Sequence, residues 1–282
     1  MNLLKGSRPI QNKEIHDYYR TYEHKQITLG EYCDIFYNWI AESHNKTVSG
    51  LGKFKHRHFT QGTSQGFDNF VLRHATKQLV NFIGDFQYHA CISKYLDHNV
   101  VSTVTQLKKG QALIISFPFS DTGNEHNSFN EILETCNQLS IPVCLDIAYW
   151  GIAKDLTLDL DQWPCVQEVN CSLSKPFCVL ETHRIGIRFS REYLDDGICM
   201  INEVGMANGH SMSLGSWFMQ KFDNSYNWKK HSDLYYQTCE DLELTPTNTV
   251  IFALGDQRHQ EFNRGIKNNN RVCISDYLKG TV

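Results

Sequence analysis

The chain has 282 residues, 41% of them apolar, and a formal net charge of −4. That length can bury a full core without disulfide or metal staples, and it suggests one large domain or one and a half. The near-balanced charge excludes the positive field of a nucleic-acid binder and any acidic tail. The ten cysteines are scattered, form no CxxC pair and often lie in apolar runs, as at Cys144, Cys171, Cys178 and Cys273. They read as buried thiols of a reducing compartment. The first ten residues contain no apolar leader segment and no run is long enough to span a bilayer, so a cytoplasmic protein with no membrane partner is expected.

Residues 11–42 are rich in aromatic and charged side chains. Ile35, Trp39 and Ile40 can share a helical face, which predicts one or two helices. A basic linker with glycines follows. Its Gly50-Leu51-Gly52-Lys53 lacks the spacing and the leading strand of a phosphate loop. His56-Arg57-His58 supplies two imidazoles without a third ligand, which favours a solvated loop, and no metal is expected. Gly62-Thr63-Ser64-Gln65 then opens a helix whose apolar face reads as Phe67, Phe70, Val71, Leu79 and Val80. Polar groups at such a helix start satisfy free N–H groups, and that end attracts anions.

Short apolar runs then alternate with helical patterns. Ala112–Phe117 reads as a buried strand, and Phe129, Ile132, Leu133, Cys136 and Leu139 as a helix face. Ile141–Leu145 reads as a second strand leading into Asp146, the run through Val166 and Val169 as a third ending near Ser172, and Ile185–Phe189 as a fourth. This rhythm predicts an α/β fold with a mostly parallel central sheet and helices on both faces. Ligands of such sheets collect at the carboxyl ends of strands, where Asp146 and Ser172–Lys175 fall. The stretch from Glu203 to Phe222 turns helical again, although Gly205, Gly209 and Gly215 weaken the pattern. A helix around Leu234–Leu242 and strands at Thr249–Leu254 and Asn270–Ser275 make a small α+β subdomain; Asn268–Asn270 is a low-complexity patch. The expected organisation is a helical segment and linker over 1–58, a large domain over 59–195 and a small C-terminal subdomain over 196–282.

The chemistry lies in motifs that occur in order. Thr63-Ser64-Gln65-Gly66 comes first, then Asp85-Phe86-Gln87-Tyr88, Asp146-Ile147-Ala148-Tyr149, Ser172-Leu173-Ser174-Lys175, Arg184-Ile185-Gly186 and finally Arg271 at the start of a strand. An aromatic aldehyde phosphate held as an imine needs a lysine, a carboxylate that keeps its ring nitrogen protonated, a hydroxyl for the phenol oxygen and a stacking ring. It also needs hydroxyls, N–H groups and an arginine around the phosphate. Lys175 is the candidate imine lysine, Asp146 the ring-nitrogen partner and Tyr149 the phenol-oxygen partner. Tyr88 is the stacking ring, with Phe86 as substitute and His89 a further ring in reach. Ser64, Gln65, Ser172, Ser174 and Arg184 make the phosphate cup. Thr63 can take a share of it, and Glu181 is an alternative partner for Arg184.

These motifs resemble those of the fold-type I pyridoxal-phosphate enzymes, the aspartate aminotransferase superfamily, and within it the class I/II aminotransferases. The resemblance covers roughly residues 60–280. It implies pyridoxal 5'-phosphate as cofactor, a Lys175 Schiff base and a homodimer with sites at the subunit interface. It also implies an amino acid or related amine and a keto acid as the small-molecule partners, with Arg271 binding the substrate carboxylate. Three departures stand out. The family's Asn-Pro-x-Gly appears as Ser120-Asp121-Thr122-Gly123, with Ser120 where the asparagine would hold the phenol oxygen. One extra residue separates Lys175 from Arg184, so the arginine is expected to reach its target from a bulged turn. The chain is also shorter than typical members. The function implied is an aminotransferase. A decarboxylase, a lyase or another biosynthetic enzyme of the same fold, or a non-catalytic pyridoxal-phosphate-binding protein, is the alternative.

Overall fold

The computed structural model describes residues 6–263 and 269–279; the start of the stretch read for a leader, and Asn268, lie outside them. Two helices open the chain. α1 (Lys13–Arg20) starts on Asn12, whose side chain accepts a hydrogen bond from the Glu14 N–H. α2 (Leu29–Ala41) starts on a reciprocal capping box between Thr28 and Glu31 and buries Tyr32, Phe36, Trp39 and Ile40. Next come β1 (Thr47–Ser49), β2 (His56–Thr60), α3 (Thr63–Arg73), β3 (Gln78–Phe82), α4 (Gln87–Ile92), β4 (His98–Val101) and β5 (Gln111–Ser116). They are followed by α5 (Phe129–Leu139), β6 (Val143–Asp146), β7 (Thr157–Asp159), β8 (Val166–Ser172) and β9 (Gly186–Ser190). The last third holds α6 (Gly197–Glu203), α7 (Gly209–Lys221), α8 (Tyr226–Asp241), β10 (Thr245–Pro246), β11 (Phe252–Leu254) and β12 (Arg271–Cys273).

The central sheet has seven strands in the order β2-β9-β8-β6-β5-β3-β4. The pairs from β8 through β4 are parallel, and β9 runs antiparallel to both of its neighbours. Six strands therefore share one direction. β5 and β6 are buried along their whole length, as continuous apolar strands in a sheet covered on both faces must be. The expected α/β class and mostly parallel sheet are what the chain forms.

Three local expectations need correction. His56-Arg57-His58 is not a solvated loop but the first part of β2. Its charge hid it, because Arg57 lies 4.0 Å over the Tyr37 ring and reaches Asp34 at 3.2 Å, while His58 is buried and its pKa is lowered by that burial to about 4. Leu79 and Val80 do not continue the α3 face. A turn closed by the Lys77 N–H to His74 carbonyl bond ends the helix, and both residues belong to β3. The helical stretch from Glu203 to Phe222 is broken between α6 and α7, where Gly205 has φ of 72°.

Three cores organise the molecule. The largest packs on the central sheet and also takes in α2 and α7. A second joins α8, β11 and β12 to Tyr149, Ile152 and the N-terminal Ile10. A third packs Phe67, Phe70 and Val71 of α3 on Leu79, Ala112, Ile114 and Cys144 of the sheet. All ten cysteines are unpaired and nine are buried. Among the described residues no helix is long and apolar enough to cross a membrane, and no group of three potential metal ligands occurs.

One contact fixes α3 on the sheet. A methyl group on Gly66 would sit 1.9 Å from Asn170 Oδ1 on β8. Gly66→Ala is therefore expected to lift the helix and cost about 1–3 kcal/mol through overpacking. Thermal unfolding checks this, and an unchanged Tm would show that α3 is not clamped there.

Candidate active site

Five strand ends and one helix start converge at one edge of the sheet. β6 ends at Asp146, β8 at Ser172 and β5 at Ser116; β3 leads into Gly84-Asp85, and β2 runs through Gly62 into α3. β9, being reversed, begins at the same edge just after Arg184. Between them lies a cavity of about 240 Å³ lined by Ser7, Thr63, Ser64, Phe86, Ser116, Asp146, Ala148, Tyr149, Ser172, Ser174, Lys175 and Arg184. Seven of the eleven residues singled out from the sequence stand on that wall: Ser64, Asp146, Tyr149, Ser172, Ser174, Lys175 and Arg184.

One side of the cavity groups donors that suit an anion. Arg184 donates from Nη2 to Ser64 Oγ at 2.6 Å, and Ser172 Oγ lies 3.0 Å from Ser174 Oγ. The first turn of α3 adds free N–H groups. The extra residue after Lys175 is absorbed by a 3₁₀ turn at Cys178–Leu180 and by Arg184 itself, whose φ is 54°. Arg184 lines the cavity from this turn. Gly62 makes room for it: φ is 73°, and a Cβ there would lie 2.7 Å from Arg184 Nη2. Glu181 does not pair with Arg184; its Oε1 lies 3.8 Å from Lys175 Nζ.

The opposite side carries the amine and the carboxylate. Lys175 Nζ donates to the Ser7 carbonyl at 2.9 Å. Asp146 is 4% exposed and its Oδ1 accepts from the Ala148 N–H at 2.9 Å. His89 lies behind it, with Nε2 3.8 Å from Asp146 Oδ2 and Nδ1 3.7 Å from Asp85 Oδ2. Burial raises the Asp146 carboxyl above the usual carboxylate range, and His89 and the Ala148 N–H only partly offset it. At Asp85 burial also raises the pKa, but the charge of His89 and hydrogen bonds from His89, Ser116 and the Phe86 N–H outweigh it and leave the group lowered. His89 is pushed down by burial and up, more strongly, by Asp85 and Asp146, to about 9.

Three expectations change. Tyr88 is off the wall: its hydroxyl donates to Asp68 Oδ1 at 2.9 Å on the α3 side, and Phe86 takes the place facing the cavity. Gln65 also turns away, its Oε1 accepting from the Gln61 N–H at 2.8 Å, while Thr63 lines the cavity. Ser120 and Arg271 line an adjoining cavity of about 70 Å³, which shares Ser7, Phe86 and Tyr149 with the larger one. The Ser120 carbonyl accepts from Arg271 Nη1, so Ser120 supports the arginine and does not reach the larger cavity. Arg271 is 6% exposed, lies 4.1 Å over the Phe252 ring and leaves its Nε without a partner. The sequence reading missed Ser7 and the acidic side of His89. The four-residue spacing of Asp85 and His89 was the available signal for the second.

No protein-family model and no curated protein matches the sequence. Solved structures do match the fold. N-succinyldiaminopimelate aminotransferase from Mycobacterium tuberculosis superposes with a TM-score of 0.69 at 11% identity, covering 98% of this chain and 90% of that one. Aspartate aminotransferase from Thermotoga maritima gives 0.67 at 15% identity, covering 98% and 87%. A pyridoxal-phosphate-bound C–S lyase from Staphylococcus hominis gives 0.65 at 11%, covering 97% and 86%. The chain has the fold-type I fold. Within that fold the cavity lies where strand carboxyl ends gather, the position at which open α/β sheets bind ligands.

Proposed function

We propose that the chain is a pyridoxal-phosphate-dependent aminotransferase acting on an amino acid or a related amine. The observation that carries this reading is the convergence of a lysine amine, a buried carboxylate and an arginine–serine anion cup on one cavity wall. The donor set fits the cofactor group by group. Lys175 would bond its aldehyde carbon, Asp146 would face its ring nitrogen and Tyr149 its phenol oxygen. Phe86 would cover the ring, and Thr63, Ser64, Ser172, Ser174 and Arg184 would hold its phosphate. When bound, the cofactor supplies an electron sink for charge left on the substrate α-carbon.

The remaining work belongs to the chain. Lys175 Nζ would take a proton from the substrate α-carbon and afterwards give it back, and the Ser7 carbonyl orients that amine. Asp146 supplies fixed negative charge in a dry site, where charge acts over little screening. Arg271, with a free Nε and a face held on Phe252, offers a rigid fork for a substrate carboxylate.

Visible absorbance of the purified protein, then borohydride reduction and peptide mapping, tests the assignment. A label on any residue but Lys175, or none, overturns it. Product analysis separates the reactions: a keto acid and an aminated cofactor support transamination, whereas carbon dioxide or an elimination product supports a decarboxylase or lyase. Gly62→Ala tests the cup. The added methyl displaces the Arg184 guanidinium, and cofactor affinity measured by equilibrium dialysis is expected to fall roughly 10–100-fold, the worth of one charge-assisted hydrogen bond. Wild-type affinity would remove Arg184 from the phosphate site.

A further inference from the structure

Asp85 is the second buried carboxylate at this edge of the sheet, and no role described so far uses it. It is wholly enclosed: Asp85 Oδ2 accepts from the Ser116 N–H at 2.9 Å, Oδ1 accepts from the Phe86 N–H at 2.7 Å, and Ser116 Oγ also donates to Oδ1. These bonds anchor it between β3 and β5, with Ser116 paired in register to Asp146. The His89 ring stands between the two acids, with one nitrogen toward each. Neither ring nitrogen has another partner. The rest of its surroundings is apolar, Phe67 of α3 lying edge-on at 4.8 Å and Phe86 at 5.6 Å. The further titratable neighbours are His126, which senses Asp85 and is lowered by burial, and the Cys144 and Cys171 thiols, which sense Asp146 and are raised by burial.

We propose that Asp85 is a positioning residue that holds His89 as an imidazolium and offsets its charge, so that the charge of Asp146 stays available to the cofactor ring nitrogen. The inference rests on the cofactor reading above and goes beyond it. Its basis is a charge count in a dry site. Asp146 beside a charged His89 alone forms a neutral pair, with little left for a protonated ring. Asp85 makes the group two carboxylates and one imidazolium, a net single negative charge, which one pyridinium would balance. A neutral His89 is the other possibility, but it would leave a second carboxylate buried without a counter-charge, which is costly.

The test begins on the apoprotein, where no cofactor is needed. Ring-labelled histidine NMR, with the His89 signal assigned through His89→Gln, reads its titration directly. In wild-type protein His89 is expected to remain protonated at pH 7.5. In Asp85→Asn its midpoint is expected to fall by at least about one pH unit, a tenfold loss of proton affinity. An identical titration in the two proteins overturns the proposal.

A second measurement separates positioning from packing. Asp85→Asn is expected to weaken pyridoxal phosphate binding about tenfold in the wild-type background. In the His89→Gln background it is expected to change binding less than twofold, because the coupling runs through the imidazole. Equal losses in both backgrounds would mean a packing role and overturn the proposal. A protein in which His89 titrates as expected but which takes up no cofactor refutes the function proposed above instead, so the two failures are distinguishable.

Discussion

Lys175→Ala is expected to leave the fold intact and abolish both the covalent trap and the turnover. The side chain is partly exposed to the cavity, and its contacts are the Ser7 carbonyl and, at 3.8 Å, Glu181. Truncation therefore opens no core cavity and strands no buried charge. What disappears is the only amine among the described residues of the wall. A positioned proton carrier contributes about 10²–10⁴-fold, and the covalent route adds to that, so turnover should fall by on the order of 10⁴-fold or more. Borohydride should label no peptide in the variant, while pyridoxal phosphate still binds weakly through the anion cup. Persistence of the visible band after dialysis, or amine-dependent keto acid formation near the wild-type rate, would show that another residue holds the cofactor.

The second large effect is expected at Asp146. In Asp146→Asn the side-chain oxygen still accepts from the Ala148 N–H, so the backbone after β6 keeps its course. The charge is lost, and with it the fixed field at the ring. Removing one preorganised electrostatic contact from a buried site costs about 10²–10³-fold in rate. Cofactor retention with that loss is the expected result, and full activity would refute the role.

The variant also carries a pH signature. His89 has a folded pKa near 9, raised above its ordinary 6.5, so its interactions stabilise the native state fully below pH 6.5 and are lost as pH rises through 9. Asp146→Asn removes part of that stabilisation. The difference in Tm between variant and wild type should be larger at pH 6 than at pH 9.5; a pH-independent difference would mean that His89 is neutral in both.

Much of this site was legible because short motifs do local jobs. Ser172-x-Ser174-Lys175 follows a buried strand, and Asp146 ends one, so a sheet with ligands at its carboxyl edge already places both. Arg271 and Ser120 were harder, since their meeting depends on how β12 and the loop after β5 pack, and no local spacing encodes that. The position of Tyr88 matches a family pattern better than that of Phe86. In the fold the short helix α4 turns Tyr88 toward Asp68, a contact between residues twenty apart. β2 was hidden by its charges, which are satisfied by Tyr37 and Asp34 of α2. The role of Asp85 is hidden for a related reason. A buried acid looks like any surface acid until the donors that enclose it are known.

The partner of the Lys175 amine is a main-chain carbonyl, and this shapes how the site can vary. No substitution at position 7 deletes that acceptor, because every residue type brings the same oxygen. Drift at Ser7 itself is therefore silent for this bond. Selection must act on what aims the oxygen, the buried Pro9 and the Ile10 that roots the segment in the second core. A polar replacement at Ile10 would reach the Lys175 amine through the backbone, and a survey of tolerated variants should find position 10 far less permissive than position 7.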